Sequence, residues 1–223
     1  MNENKICFII CYNDELFLDE CCFYIRQLHL PDNMELDICS IKDAPSINEG
    51  YQAGMESSDA KYKVYLHQDT FIINEHFIDD IVNIFKANDI GMIGMVGSVE
   101  LPESGIMWAN DKRCGRLRRN VVTDEVDYEF EVPIDGEYIE VQAIDGFLMA
   151  TSIDIDWRAD IFKGWHFYDV SHSFEMRNKG YKVVVPKQDE PWCLHDVDVQ
   201  FKASFGEEYK KWNKAFLDNY ITT

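Results

Sequence analysis

Along the first hundred residues, short apolar runs alternate with longer segments whose apolar positions recur every three or four residues. Residues 5–11 (KICFIIC) are almost continuously apolar, which predicts a first, central strand covered on both faces. Leu16, Phe17, Cys21, Tyr24, Ile25 and Leu28 then follow helical spacing, with Asn13 or Asp14 as the cap. Pro31-Asp32-Asn33 breaks the chain, and residues 35–41 (ELDICSI) alternate as a second strand ending at Lys42-Asp43. Ser46-Ile47-Asn48-Glu49 has the capping-box form that begins a helix. Gly50 and Gly54 share one face of it. A helical glycine costs about 1 kcal/mol against alanine, so the pair predicts close approach to the sheet or a ligand.

Residues 61–70 (KYKVYLHQDT) predict a buried strand that stops on polar groups. His67 and Asp69 stand two apart, leave the same face, and can converge on one ligand or metal. Gln68-Asp69-Thr70 as a simple turn is the alternative. Asn74 is expected to cap a helix whose Phe77, Ile78, Ile81, Val82, Ile84 and Phe85 form one apolar face, and residues 91–99 (GMIGMVGSV) read as an interior strand.

The periodicity fades over residues 101–137, which predicts a long loop. Lys112, Arg113, Arg116, Arg118 and Arg119 lie within it. They could attract a phosphate, or belong to a solvated hairpin or lid. Residues 138–143 and 147–150 look like strands flanking Ile144-Asp145-Gly146. A helix through Val170, Phe174 and Arg177 should end at Lys179-Gly180. Residues 181–186 and 192–196 suggest two more strands. Phe205, Tyr209, Trp212, Phe216 and Tyr220 make a last, aromatic helix face suited to core or partner contact. Together these elements predict an α/β fold, a mostly parallel mixed sheet flanked by helices. No glycine-rich dinucleotide or P-loop pattern is present.

Composition narrows the function. The 223 residues suit one domain over 1–223, and 46% hydrophobic content supports a sizeable core. A formal charge of -20 opposes nucleic acid and anionic membrane surfaces, and admits an anionic ligand only where a cation or local positive groups offset the field. No apolar run is long enough for a transmembrane segment, and residues 1–5 lack a signal peptide's basic region. Seven cysteines without pair spacing read as buried thiols in a reducing cytosol.

Several stretches, taken in order, resemble family 2 glycosyltransferases of the GT-A fold, and within them the small bacterial StrF-like branch. Cys11-Tyr12-Asn13 resembles the family's opening strand and turn. Ser46-Ile47-Asn48-Glu49-Gly50-Tyr51-Gln52-Ala53 is similar to its ARNxGxxxA helix. Tyr65-Leu66-His67-Gln68-Asp69 falls at the metal motif, with His67 in place of its first Asp. Tyr168-Asp169 falls at the ED motif, with Tyr168 in place of the acid.

The resemblance implies a nucleotide-diphosphate sugar donor held by Tyr12, Asn13, Asp43, Asn48, His67 and Gln68, mainly in a nucleotide-binding half over 1–100. It implies a divalent cation, Mn2+ or Mg2+, on Asp69 and His195, with Asp169 as catalytic base. Asp145 and Gly146 would lie near a glycan or glycolipid acceptor in the 101–223 half. Asp169 as a helix N-cap is the alternative from the residues alone, and His166 and His172 read as packing or surface groups. The implied activity is inverting transfer in the cytoplasm, peripheral to the inner membrane, for polysaccharide synthesis; a homo-oligomer is compatible with it. A non-catalytic nucleotide-sugar or glycan binder is the alternative function, and a metal hydrolase on His67, Asp69 and His195 is a third.

Overall fold

The computed structural model describes residues 1–121, 124–196 and 206–221. Its main sheet runs in the order β2-β1-β3-β11-β5-β12-β9. The strands are β1 (Asn2–Tyr12), β2 (Glu35–Lys42), β3 (Ala60–His67), β5 (Ile90–Gly94), β9 (Tyr138–Glu140), β11 (Leu148–Thr151) and β12 (Lys182–Pro186). β1, β2, β3, β5 and β12 point one way, while β11 and β9 oppose them. The expected mostly parallel mixed sheet is therefore present. β1 is not its middle strand: β11 is, and β1 lies one in from the edge. The edge belongs to β2, whose polar alternation leaves it without a fully buried residue.

Period-two alternation along β1 divides the core. Ile6, Phe8 and Ile10 face a layer containing α1 (Glu15–Gln27) and α3 (Phe77–Phe85). Cys7, Ile9 and Cys11 face α2 (Ile47–Ser57) and α4 (Tyr168–Asn178). Asp14 caps α1, accepting from Leu16 N at 2.8 Å. Ser46 caps α2, accepting from Glu49 N at 3.2 Å, and its hydroxyl donates to the Glu49 carboxylate at 2.8 Å, so Glu49 engages the Ser46 side chain. Asn74 does not cap α3. His76 holds that position, and Asn74 instead accepts from His76 N at 3.0 Å and donates to Asp80.

The run at 91–99 splits between sheets, β5 ending at Gly94 and β6 (Val96–Ser98) starting a second one. The second sheet has the order β10-β6-β7-β13-β4, with β8 paired to β7. It contains β4 (Thr70–Ile72), β7 (Arg113–Val121), β8 (124–129), β10 (Ala143–Ile144) and β13 (Cys193–His195). The stretch 101–137 is thus not a long loop. Arg116 stands opposite Glu129 and Arg118 opposite Asp127 across the β7–β8 ladder, with ion pairs at 2.9 and 2.7 Å. Arg113 pairs with Glu131. On one face of this hairpin Arg116 and Arg118 meet Glu129 and Asp127, on the other Leu117 meets Tyr128, and Arg113, Arg116 and Arg118 are paired with carboxylates instead of presented to a phosphate.

The aromatic helix is α5 (Glu207–Tyr220), which buries Trp212 and Phe216 against Phe162, Phe167 and Val170; Phe205 lies outside the described residues. Among the described residues, no helix is long and apolar enough to cross a membrane.

The two α2 glycines meet β1. A Cβ on Gly50 would overlap Cys11 Sγ, and one on Gly54 would overlap Ile9 Cγ2. In an exposed helix Gly→Ala stabilises by about 1 kcal/mol. Gly54→Ala is expected to do the reverse here, costing about 1–3 kcal/mol from overpacking and lowering the urea midpoint. An unchanged or raised midpoint would show that helix and sheet are not held this close.

Candidate active site

Parallel β1, β2 and β3 end side by side, with Tyr12 opposite Lys42 and Cys11 opposite His67. Ligands of open α/β sheets bind beyond such carboxyl ends. Past β2 the exposed Asp43 is left-handed (φ 48°), and its N–H donates to Tyr12 O at 2.9 Å. Past β3 the Gln68 carbonyl accepts from Asn13 N at 2.9 Å and Asp14 N at 3.0 Å, while its amide donates to Asn13 Oδ1 at 2.8 Å. Tyr12, Asn13, Asp43 and Gln68 therefore form one wall. Asn48 is not part of it. Its place in the first turn of α2 turns it inward, where it is fully buried and donates to Phe162 O at 3.1 Å.

The same strand ends bring His67, Asp69 and His195 together. β13 pairs antiparallel with β4, placing His195 opposite Thr70, and Asp196 N donates to Asp69 O at 2.8 Å. His195 Nε2 lies 3.4 Å and His67 Nδ1 3.9 Å from Asp69 Oδ1. One ligand atom from each residue lies within 4.8 Å of the others. The His195 ring is steadied by stacking on Phe147 at 5.2 Å. Burial pushes the Asp69 carboxyl up, but the two histidines outweigh it and hold the group below its ordinary value. Burial also lowers His67, more than Asp69 raises it, which favours the neutral ring that a metal requires. Two imidazoles and an ionised carboxylate, all half-buried, are a chemically suitable donor set for a divalent cation.

Asp145, Gly146 and Asp169 adjoin this cluster because β11 runs antiparallel to β3 and His67 N donates to Phe147 O at 3.0 Å. Asp145 accepts from Trp108 Nε1 at 2.9 Å and Phe147 N at 3.1 Å. Gly146 is buried, and its N–H donates to Asp169 Oδ2 at 3.1 Å. Asp169 Oδ1 accepts from Val170 N at 2.9 Å. Asp169 is not the N-cap of α4; Phe167 is, in a left-handed conformation (φ 62°) that costs about 1–2 kcal/mol and is braced by ring packing on Phe216.

Tyr168 joins the two groups. Its hydroxyl hydrogen-bonds His67 Nε2, and a Cβ at Gly146 would overlap that hydroxyl. Asp69, His67, Tyr168 and Asp169 thus lie in one connected cluster. Burial, followed by the Asp145 charge, pushes Asp169 up to about 7, overriding its backbone hydrogen bonds. The bridging role of Tyr168 and the bond from Trp108 have no sequence signal beyond the departure at Tyr168 itself. His172 is a packing residue, fully buried with its ring 3.8 Å from Trp157, and burial pushes it down to about 3.

Residues 7–220 match the sequence profile of the Glycosyltransferase like family. No curated protein matches the sequence. Among solved structures, S. aureus TarS 1-349 with UDP-GlcNAc is similar at TM-score 0.58 and 9% identity, covering 96% of this chain and 66% of that one. The same protein with UDP gives 0.56 and 10% identity over 96% and 66%. Mannosyltransferase PcManGT from Pyrobaculum calidifontis, in complex with GDP-Man and Mn2+, gives 0.57 and 11% identity over 99% and 71%. The chain spans 66% or less of the TarS chains it matches. At these identities the likeness shows the fold, that of GT-A glycosyltransferases.

An unfolded aspartate loses its proton near 3.9, whereas folded Asp169 holds its proton to about 7. Its contribution to stability is therefore greatest below pH 4 and is lost as pH rises to 7. Asp169→Asn removes the buried charge and should stabilise the ligand-free protein at pH 8 by about 1–3 kcal/mol, after allowance for screening of a half-buried group. The gain should shrink towards pH 5 in denaturant titrations. A gain independent of pH would contradict the raised pKa of Asp169.

Proposed function

The chain belongs to the Glycosyltransferase like family, and from that premise we propose that it transfers a sugar from a nucleotide-diphosphate donor to a hydroxyl of a glycan or glycolipid acceptor, with inversion. The observation that carries this reading is the contact chain Asp69–His67–Tyr168, with Asp169, a carboxylate poised near neutrality, next to Tyr168 in sequence and bonded to the N–H of Gly146, the residue over which the Tyr168 hydroxyl packs. The resemblance of the motifs supports the StrF-like branch as its subgroup.

Tyr12 offers a ring face for the donor base, and Asn13, Asp43 and Gln68 offer polar groups for base and ribose. Asp69 and His195 would hold Mn2+ or Mg2+, whose charge would offset the acidic field and stabilise the leaving diphosphate. Asp169 takes the proton from the acceptor hydroxyl as that oxygen attacks the sugar carbon opposite the leaving group. Asp145, fixed by Trp108 and Phe147 N, orients the acceptor and keeps Asp169 basic through like-charge repulsion. Gly146 contributes its N–H to Asp169 and the space that Tyr168 occupies. All seven cysteines are free and six are buried, which supports a reducing, cytoplasmic setting.

General-base help is typically worth about 10²- to 10⁴-fold, so Asp169→Asn should lower turnover by that factor while still binding donor. Because the ionised carboxylate is the active form, kcat/KM should rise with pH through about 7 and then level off. A thermal-shift series with UDP-, GDP-, dTDP- and CDP-sugars, with and without Mn2+, tests the donor class: at least one should raise Tm with the ion, and Asp69→Ala should abolish that shift. Wild-type turnover in Asp169→Asn would remove the proposed base. No shift with any nucleotide would favour a non-catalytic glycan binder.

A further inference from the structure

The two nitrogens of His67 face different partners. Nδ1 turns to Asp69 Oδ1 at 3.9 Å, the same oxygen that His195 Nε2 approaches at 3.4 Å. Nε2 is occupied by the hydroxyl of Tyr168, a fully packed phenol on the first residue of α4. Only Gly146 admits the phenol there, since any side chain at that position would displace it. A ring nitrogen can ligate a cation only through its lone pair. With Nδ1 so used, the imidazole must carry its proton on Nε2 and donate it to Tyr168 Oη.

We propose that His67 is a third protein ligand of the divalent cation, that the resulting two-imidazole, one-carboxylate set selects a transition ion over Mg2+, and that Tyr168 is the positioning residue aiming His67 Nδ1 into the site. The use of the ion in transfer rests on the reading above; its binding does not. Imidazole is a softer donor than carboxylate or water. Mg2+ favours near-octahedral oxygen and gives up its waters reluctantly, whereas Mn2+, Fe2+, Co2+ and Zn2+ accept mixed nitrogen and oxygen sets. The ligand atoms of the three residues, within 4.8 Å of one another before any ion is present, are already gathered.

The test uses the full chain with Mn2+ and Mg2+, each titrated with and without UDP by calorimetry, and pulsed electron paramagnetic resonance on the Mn2+ form. Mn2+ should bind at least about 10²-fold more tightly than Mg2+ in both conditions, with couplings from two imidazole nitrogens. His67→Asp should remove one coupling and narrow the Mn2+/Mg2+ gap. Tyr168→Phe, which keeps the ring volume, should weaken Mn2+ by about 10- to 100-fold, as loss of an outer hydrogen bond does at metal-bound histidines. Equal affinity for the two ions, or nitrogen couplings that His67→Asp leaves unchanged, would overturn the ligand assignment. Unaltered Mn2+ affinity in Tyr168→Phe, with a native circular dichroism spectrum, would overturn the positioning role. Tight, two-nitrogen Mn2+ binding by a protein that recognises no sugar nucleotide would leave this inference standing and remove the transferase reading alone.

Discussion

The hydroxyl of Tyr168 fixes the relation between three segments distant in sequence. It bonds His67 at the end of β3, fills the space above Gly146 before β11, and belongs to the first turn of α4. Asp169 follows it directly, so the position of that carboxylate is set by where the phenol comes to rest. Burial keeps the phenol neutral far above ordinary pH. This supplies a physical reason for tyrosine where the resembled motif has an acid. A third carboxylate beside Asp145 and Asp169 would add like-charge repulsion at short range, whereas a phenol provides hydrogen bonding without charge.

The rest of the molecule spreads negative charge while this corner concentrates it. The chain carries a formal charge of -20, yet Arg113, Arg116 and Arg118 are paired within the β7–β8 region. Near Asp69 stand the imidazoles of His67 and His195, which hold its carboxyl below the ordinary value. Asp169 has no cationic group among the causes of its shift, and burial dominates there. Two carboxylates distant in sequence thus move in opposite directions, one held ionised and one held near neutrality. Such separation marks distinct chemical tasks, and it implies that the ligand-free fold gives up stability at this site.

Local order was readable wherever the code is local. The burial of residues 6–11, the Ser46 N-cap and the close approach at Gly50 and Gly54 depend on neighbours in sequence and appear as expected. The β7–β8 ladder was not legible because Gly115 and Arg119 break the alternation around Leu117, and Glu129 and Asp127, the partners of Arg116 and Arg118, become visible only once the register is known. Asn48 matched a motif position, but its direction depends on Phe162, far along the chain. The meeting of Asp69 with His195 was suggested by resemblance; the pairing of β13 with β4 that produces it has no signal in either short strand.

That both halves of the site meet follows from one reversal in the main sheet. In a wholly parallel arrangement, the residues entering the strand beside β3 would lie at the opposite edge from those leaving it. Because β11 runs against β3, the segment entering β11 (Asp145, Gly146 and Phe147) lies beside the segment leaving β3 (His67, Gln68 and Asp69). The antiparallel strand in the middle of the sheet thereby brings an acidic, backbone-rich segment to the same carboxyl edge that parallel β1, β2 and β3 furnish with Tyr12, Asp43 and Gln68. Polar groups from either strand direction can then face a single ligand, and α4 closes over the junction with Tyr168 and Asp169.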